Sequence, residues 1–191
     1  MRDYNLAITK EAADAGVDDI FFDYIRRPEG RIESLRFPGA PGPVEDEIIA
    51  FLNESGKTLR NTSTRIGVSV FGIAAKSPEQ IAQPVPAMAD SVDYIAPMVY
   101  PSHWSKGWYD VADPNAQPYD IVKKSLADFQ EKVGATGAKV VPWLQDFSLG
   151  LDYGAKEVRE QIQAARDVNI GGYLIWDARV SYHGDGLPTK N

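Results

Sequence analysis

The chain of 191 residues has no cysteine, only two histidines and a deficit of basic residues, and each scarcity excludes a class of function. Without cysteine there is no disulfide, no thiolate zinc site and no cysteine nucleophile. His103 and His183 stand in different segments without metal-ligand spacing, so we expect no metal and no cofactor. The 20 basic and 27 acidic residues give a net charge of -7, which argues against a nucleic-acid partner because such proteins present a basic face to phosphates.

Long apolar runs are also missing. No segment approaches the roughly 18 consecutive apolar residues of a membrane span. The polar opening MRDYN does not resemble a signal peptide, although an export signal upstream in a parent protein is compatible with it. With 43% hydrophobic and 25% charged residues, the composition is that of one ordinary soluble domain, and we treat residues 1–191 as a single domain.

Short apolar runs alternate with amphipathic stretches, which indicates βα units and a parallel sheet. In such folds the loops after the carboxyl ends of the strands build the functional site. We therefore expect polar residues that follow the strands to converge on one face. The predicted strands cover residues 19–25, 65–71, 92–99, 139–144 and 172–176, and the main predicted helices cover 3–15, 44–60, 119–133 and 155–168.

The stretch FFDYIRRP, residues 21–28, contains the first candidate site residue. Asp23 lies within an apolar, strand-like run, where an ionised carboxylate is costly unless it is paired or used. Arg26 and Arg27 are its nearest possible partners, so Asp23 is either a catalytic acid or a structural one that ties down an arginine. We expect Arg26 to hold a carboxylate, either that of Asp23 or that of an acidic sugar.

Two more carboxylates, Asp146 and Asp177, follow predicted strand ends. Because the carboxyl ends of parallel strands meet at one edge of the sheet, these acids are candidates for a carboxylate pair with Asp23. The structural alternative for Asp146 is an N-cap or turn acid in the loop DFSLG. For Asp177 the alternative is an ion pair with Arg179.

Aromatic side chains are concentrated near the same strand ends. Sugar rings stack their apolar faces on aromatic planes, so indoles in exposed loops favour a carbohydrate ligand. For Trp143 and Trp176 a role in the core is equally open, and His103 is a polar contact or a proton relay. The candidates for substrate contact, besides Arg26, are Tyr100, His103, Trp104, Trp143, Gln145, Trp176 and Asp177.

Five strings occur in a characteristic order over nearly the whole chain: DYNLAITKEAADAGVDDIFFDYIRRP, DYIAPMVYPSHW, DPNAQPYDIV, VVPWLQDF and GGYLIWDA. In these strings the chain resembles the putative glycoside hydrolase domain family, bacterial TIM-barrel proteins considered distant relatives of α-amylase-type enzymes. The resemblance implies a (β/α)8 barrel that acts on or binds a polysaccharide, and a location outside the cytoplasm or in the cell envelope. It places Asp23 at the nucleophile position, and we take Asp146 as the acid/base.

The chain departs from the complete family pattern in its number of strands. A complete barrel has eight strands in about 250 residues, whereas five are predicted here and the first element resembles the helix before the family's fourth strand. We expect a partial TIM barrel that lacks three βα units. The missing units have three possible explanations. The chain is an excised or truncated fragment, which we favour; it is an open half-barrel; or another chain completes the barrel at the uncapped sheet edges.

A second departure concerns Ser69 in GVSVFG, which stands where the resemblance implies an acid. In amylase-type barrels the proton donor lies at the end of that strand, so its loss puts a conventional pair of acids in question. The leading hypothesis is a glycoside hydrolase for a bacterial or environmental polysaccharide. The alternative is a catalytically inert saccharide-binding or cell-envelope scaffold domain.

Overall fold

The computed structural model describes residues 1–188. The chain divides into two compact units, which are described separately: unit 1 comprises Met1–Ala96 and Lys132–Lys139, and unit 2 comprises Pro97–Glu131 and Val140–Asn191. The single-domain interpretation of the sequence stays a prediction. Among the described residues, no helix is long and apolar enough to cross a membrane.

Helices and strands alternate along the chain as the periodicity predicts. The helices are α1 (Arg2–Asp14), α2 (Val44–Leu59), α3 (Val85–Ala89), α4 (Pro118–Val133) and α5 (Ala155–Asp167). The strands are β1 (Asp19–Phe22), β2 (Arg65–Phe71), β3 (Tyr94–Met98), β4 (Lys139–Val140), β5 (Trp143–Gln145) and β6 (Leu174–Trp176). They pair in the order β1-β2-β3-β5-β6, with the short β4 also on β3, and the pairs β1–β2, β3–β5 and β5–β6 are parallel.

In unit 1, a glycine allows an aromatic ring to lie against β2. Gly67 has no side chain, and a Cβ built on it would come within 2.1 Å of the ring of Tyr94. The same ring stacks on Phe21 of β1, with 5.9 Å between ring centroids. In unit 1, α1 ends just before Gly16, which adopts a left-handed φ of 89° and donates its N–H to the carbonyl of Ala13, as is typical after a helix.

Strand β1 ends at Phe22, three residues earlier than the strand predicted over 19–25. The backbone turns at Tyr24, which has a φ of 53°, and the N–H of Arg26 donates to the carbonyl of Tyr24. Asp23 therefore follows the strand and is exposed. The expectation that this carboxylate lies buried within an apolar run is wrong.

The strand predicted over 139–144 is divided into β4 and β5 around Pro142. Proline has no N–H to donate, so it interrupts a strand's hydrogen bonding. Its carbonyl is still used, because it accepts the N–H of Leu174 at 2.8 Å. The register then pairs Trp143 with Leu174 and Gln145 with Trp176, so that β5 and β6 end side by side.

The segment after β6 is fixed against α5 in unit 2. A short 3-10 turn, Gly184–Gly186, places the buried Gly186 so close to α5 that an added Cβ would lie 3.0 Å from the backbone of Ala155. Arg159 of α5 also donates to the carbonyl of Asp185 at 2.8 Å. These contacts hold the residues that follow β6 in a defined position.

Candidate functional site

A buried carboxylate at the end of β5 binds a histidine that follows β6. Asp146 is 1% exposed, and its Oδ1 lies 2.6 Å from Nδ1 of His183. Its Oδ2 accepts the backbone N–H of His183 at 2.9 Å. Both carboxylate oxygens are thus bonded by one residue, which fixes the position of the imidazole ring. This carboxylate–imidazole pair (Asp146–His183) is the centre of the candidate site in unit 2.

The imidazole of His183 is accessible although its carboxylate partner is not. The side chain is 42% exposed, and within residues 1–188 its Nε2 has no hydrogen-bond partner. The hydrogen bond to Asp146 raises the pKa of His183 above its ordinary value of 6.5, against the smaller opposing effect of burial. The negative charges of Asp185 and Asp177 raise this pKa further. The ring therefore holds its second proton to a higher pH than an isolated imidazole does.

Asp177 follows β6 and is also almost completely buried. One oxygen accepts the backbone N–H of Arg179, and the other lies 3.3 Å from the Arg179 guanidinium. Burial favours a raised pKa for Asp177, but the hydrogen bonds from Arg179 and from the backbone of Ser181 outweigh it and lower the pKa below its ordinary 3.8. Asp177 is therefore ionised near neutral pH, and it makes the contact with Arg179 that the sequence left open as an alternative.

Two tryptophans on the adjacent strands β5 and β6 pack edge to face. The ring centroids of Trp143 and Trp176 are 5.8 Å apart, with an angle of 82° between the ring planes. Trp176 is 43% exposed, whereas Trp143 is half-buried. An indole that is open to solvent directly before Asp177 offers an apolar surface of the kind on which a sugar ring stacks.

Gln145 is buried, and its hydrogen bonds stabilise the structure around the Asp146–His183 pair. Its amide oxygen accepts both the N–H and the hydroxyl of Ser102, at 3.1 and 2.8 Å, and its amide nitrogen donates to the carbonyl of Phe147 at 2.8 Å. Its backbone exchanges two hydrogen bonds of 2.8 Å with the side chain of Gln161 on α5. The predicted role of Gln145 in contacting substrate stays a prediction, and its observed bonds join β5 to two loops and a helix.

The ring of Tyr100, which is buried, contacts two neighbouring rings in unit 2. Its centroid lies 5.2 Å from that of His103 and 5.3 Å from that of Phe147. His103 is exposed and also lies 5.9 Å from Phe147. Because Phe147 directly follows Asp146, this cluster borders the pair.

Trp104 belongs to a second aromatic cluster, with Trp108 and Tyr109. Its indole Nε1 is buried and has no hydrogen-bond partner among the described residues. Tyr109 donates its hydroxyl to Asp128 at 2.8 Å, and burial together with this carboxylate raises the pKa of Tyr109. Contact of Trp104 with substrate stays a prediction.

In unit 1, Asp23 lies at the surface and accepts the backbone N–H of Tyr24 at 2.8 Å. The two neighbouring arginines pair with other acids: Arg26 with Glu29 at 3.7 Å, and Arg27 with Glu45 at 3.5 Å. The structural alternative in which Asp23 ties down one of these arginines is therefore not what the structure contains.

Arg26 and Arg27 keep unused hydrogen-bonding capacity in unit 1. The guanidinium of Arg26 lies over the ring of Phe71, 4.3 Å from the centroid. Nε of each arginine, and Nη2 of Arg27, are buried without a partner in the part of the chain that the structure describes. The expectation that Arg26 holds the carboxylate of Asp23 is not met, and its contact with an acidic sugar stays a prediction.

Sequence reasoning missed His183, because its importance comes from a contact with a residue 37 positions away. The available signal was its scarcity and position, since it is one of two histidines and follows the last strand. Metal binding has no support from clustering, because residues 1–188 contain no group of three or more histidine, aspartate or glutamate side chains suited to hold an ion.

Comparison with known proteins identifies the family. The model of the family described as "Putative glycosyl hydrolase domain" matches residues 1–182. The chain belongs to this family. The match ends at Tyr182, directly before His183. No curated protein matches the sequence.

Solved structures of glycoside hydrolases have the same fold at low sequence identity. The PgaB (BpsB) glycoside hydrolase domain from Bordetella bronchiseptica has a TM-score of 0.64 and 14% identity, over 92% of this chain and 56% of that one. The spore cortex-lytic enzyme SleL from Bacillus megaterium has a TM-score of 0.63 and 13% identity, over 97% and 51%. A chitinase from Chromobacterium violaceum has a TM-score of 0.64 and 13% identity, over 97% and 69%.

These similarities confirm the predicted α/β fold of the TIM-barrel type in partial form. The chain spans about half the length of the first two of these structures. At such identities the likeness concerns the fold, so the reaction, the substrate and the roles of individual residues are matters for proposal.

Proposed function

We propose that this chain is the part of a glycoside hydrolase that carries a catalytic site at the carboxyl ends of β5 and β6. Neighbouring strands lie about 4.8 Å apart, so residues directly after paired strand ends are close together. Asp146 and Asp177 occupy these positions, next to the register pair Gln145 and Trp176. The main support for the proposal is that two buried carboxylates lie beside one accessible imidazole, that of His183.

A carbohydrate is the substrate class that suits the surroundings of these acids. The exposed face of Trp176 provides a stacking surface, and the acidic protein, with a net charge of -7, favours a neutral ligand over a polyanion. A polysaccharide substrate agrees with membership of the family and with the chitinase and the spore cortex-lytic enzyme that share the fold. A polysaccharide substrate in turn favours a location outside the cytoplasm or in the cell envelope, where a substrate such as a spore cortex lies.

The proposed mechanism is based on carboxylates. Asp23 is the candidate nucleophile or stabiliser, because it is an exposed carboxylate directly after β1. Asp146 is the candidate that governs proton transfer, since it is bonded to a titratable imidazole.

The alternative function is saccharide binding without catalysis, and the contacts of the buried acids favour it. Asp146 is occupied on both oxygens by His183, and Asp177 is held as an anion by Arg179. Ser69, at the position where an acid was expected, is also buried. A domain that retained only the indole surface would bind glycans without cleaving them.

The test is release of reducing ends from chitin oligosaccharides and from purified spore cortex, with the 191-residue chain and its Asp146→Asn and Asp23→Asn variants. We expect activity in the unmodified chain and a loss of about 100-fold or more in each variant, the scale of a catalytic group. Equal activity in a variant removes that residue from the mechanism. Binding of a glycan without any release by the unmodified chain supports the alternative function.

A further inference from the structure

We propose that His183 is the proton donor of this site, with Asp146 as the residue that positions it. This inference rests on the proposed hydrolysis of glycosidic bonds and assigns the donor within that reaction. It replaces direct donation by the Asp146 carboxyl with donation by the imidazole that Asp146 binds.

The orientation of the ring leaves one nitrogen for chemistry. Asp146 binds Nδ1 at 2.6 Å, so Nδ1 carries a proton, and Nε2 is the nitrogen that faces away from the carboxylate. The ring is 42% exposed, and among residues 1–188 no donor or acceptor occupies Nε2. A buried acid that fixes one imidazole nitrogen while the other reaches the reacting group is a recurrent arrangement in acid–base catalysis.

The segment that carries His183 is built into the fold. The backbone N–H of His183 is bonded to Asp146, Asp185 is bonded through its carbonyl to Arg159, and Gly186 packs on the backbone of Ala155. The imidazole is therefore held from β5 and from α5. Such support is what a catalytic group needs, since its geometry must be set before substrate binds.

The charged groups around the ring favour its protonated form. Asp146 at the end of β5, Asp177 after β6 and Asp185 in the short turn all act on His183 with negative charge. Arg179 and Arg159 are engaged with other groups, because Arg179 is bonded to Asp177 and Arg159 to the Asp185 carbonyl. An imidazolium ion is thus available as an acid near neutral pH.

The two carboxylates of the same site are poorly suited to donate. Asp177 has a lowered pKa and holds no proton near neutral pH. Asp146 is 1% exposed and both of its oxygens are bonded to His183, so a substrate has no access to this carboxyl group. His183 is the group of this cluster that has a transferable proton and access to a substrate.

The proton balance of the step is simple. The imidazolium gives the proton on Nε2 to the glycosidic oxygen while the bond between this oxygen and the anomeric carbon breaks, and the bond's electron pair goes to the oxygen. One sugar leaves as an alcohol, and the imidazole is neutral. In a two-step reaction a carboxylate first bonds to the anomeric carbon, and water then displaces it and gives one proton to Nε2. In a one-step reaction water attacks from the opposite face, its proton goes to a carboxylate base there, and the imidazole regains its proton from solvent.

The experiment compares two probes that differ in their need for an acid. Chitopentaose has a sugar leaving group that must be protonated, whereas a 2,4-dinitrophenyl glycoside of chitobiose releases a phenolate that leaves without a proton. The variants are His183→Asn, whose amide nitrogen can replace Nδ1 as the donor to Asp146 while Nε2 is lost, and His183→Ala. Tyr182→Phe is the control for local disturbance, because Tyr182 is the exposed neighbour of His183.

For His183→Asn we expect kcat/KM to fall by about 10²- to 10⁴-fold on chitopentaose, the usual contribution of general acid–base catalysis. On the dinitrophenyl glycoside we expect a loss of less than about tenfold, because bond cleavage there needs no acid. Equal losses on both probes, or no loss on chitopentaose, overturn the donor role while the proposed function stands. If the unmodified chain cleaves neither probe, the proposed function fails and the donor role falls with it.

A second readout does not depend on activity. With two histidines in the chain, the imidazole signals of His183 in an NMR pH titration are assigned by comparison with His183→Asn. We expect a pKa above 6.5 in the unmodified chain and a lower value in Asp146→Asn, where the carboxylate is lost. A His183 pKa that is unchanged by Asp146→Asn contradicts the positioning role.

Discussion

Nδ1 of His183 lies 2.6 Å from Oδ1 of Asp146, a contact that joins the end of β5 to the segment after β6. A carboxylate at the end of a parallel strand is a common site feature, and here it controls a group that titrates near neutral pH. Through the protonation state of His183, both the stability of this part of the chain and its proposed catalysis therefore depend on pH.

The Asp146–His183 pair makes stability depend on pH in a defined direction. Because the pKa of His183 is raised in the folded state, the pair's contribution is fully present below the unfolded value of 6.5 and is lost as pH rises through the folded value. We expect the difference in free energy of unfolding between the unmodified chain and Asp146→Asn to be larger at about pH 6 than at about pH 9. Urea denaturation at a series of pH values measures it, and an equal difference at both ends contradicts the coupling.

Asp177 makes the opposite contribution. Its pKa is lowered by the contacts with Arg179 and Ser181, so its stabilising effect is present above the unfolded value of 3.8 and is lost as pH falls through the folded value. We expect Asp177→Asn to be less stable than the unmodified chain at neutral pH and to lose less stability on acidification. Acid titration followed by circular dichroism tests this, with Asp152→Asn, at an exposed residue, as the control. Parallel acid transitions in all three proteins count against the assignment.

Gln145 is expected to be important for stability through its buried amide. Substitution by alanine leaves the N–H of Ser102 and the carbonyl of Phe147 without their partner, and an unsatisfied buried group costs about 1 to 3 kcal/mol. We expect Gln145→Ala to lower the free energy of unfolding by more than about 2 kcal/mol. The exposed Gln163, substituted in the same way, is the control and is expected to change it by less than about 0.5 kcal/mol. If both variants lose a similar amount of free energy of unfolding, the buried hydrogen bonds of the Gln145 amide contribute no more than an exposed side chain does.

Gly67 provides a test of packing in unit 1. An alanine Cβ at this position meets the ring of Tyr94 at 2.1 Å, so Gly67→Ala must displace the ring and is expected to cost about 1 to 3 kcal/mol. Gly56 lies within α2 with open space around its Cα, so Gly56→Ala is expected to stabilise by about 0.5 to 1 kcal/mol. Opposite signs in thermal unfolding support the observed packing, and a neutral Gly67→Ala refutes it.

Local signals in the sequence predict the fold well. Gly16 predicts the end of α1 because a left-handed residue after a helix is a local requirement. The bounds of β2, residues 65–71, follow from its apolar run and agree with the structure. The short helix α3 follows from the prolines around it, since proline suits a first helical turn and breaks a longer helix.

The failures have physical reasons that the sequence does not display. The end of β1 depends on a left-handed φ at Tyr24, a conformation that an aromatic residue rarely adopts. The pair Asp146–His183 depends on tertiary contacts of the short turn Gly184–Gly186 with α5, and hydrophobic periodicity gives no sign of such contacts. The sequence placed functional groups at the strand ends and offered Arg179 as a partner for Asp177, whereas the partner of Asp146 had to be seen in the structure.

Carbohydrate binding at the carboxyl ends of β5 and β6 can be followed through the indole N–H signals of the four tryptophans. In a ¹⁵N-resolved NMR titration with chitopentaose, we expect the signal of Trp176 to shift first and Trp176→Ala to weaken binding by about tenfold, the equivalent of one stacking contact. If the Trp176 signal stays in place while the glycan binds, or if Trp176→Ala binds as well as the unmodified chain, this edge of the sheet is not the carbohydrate site.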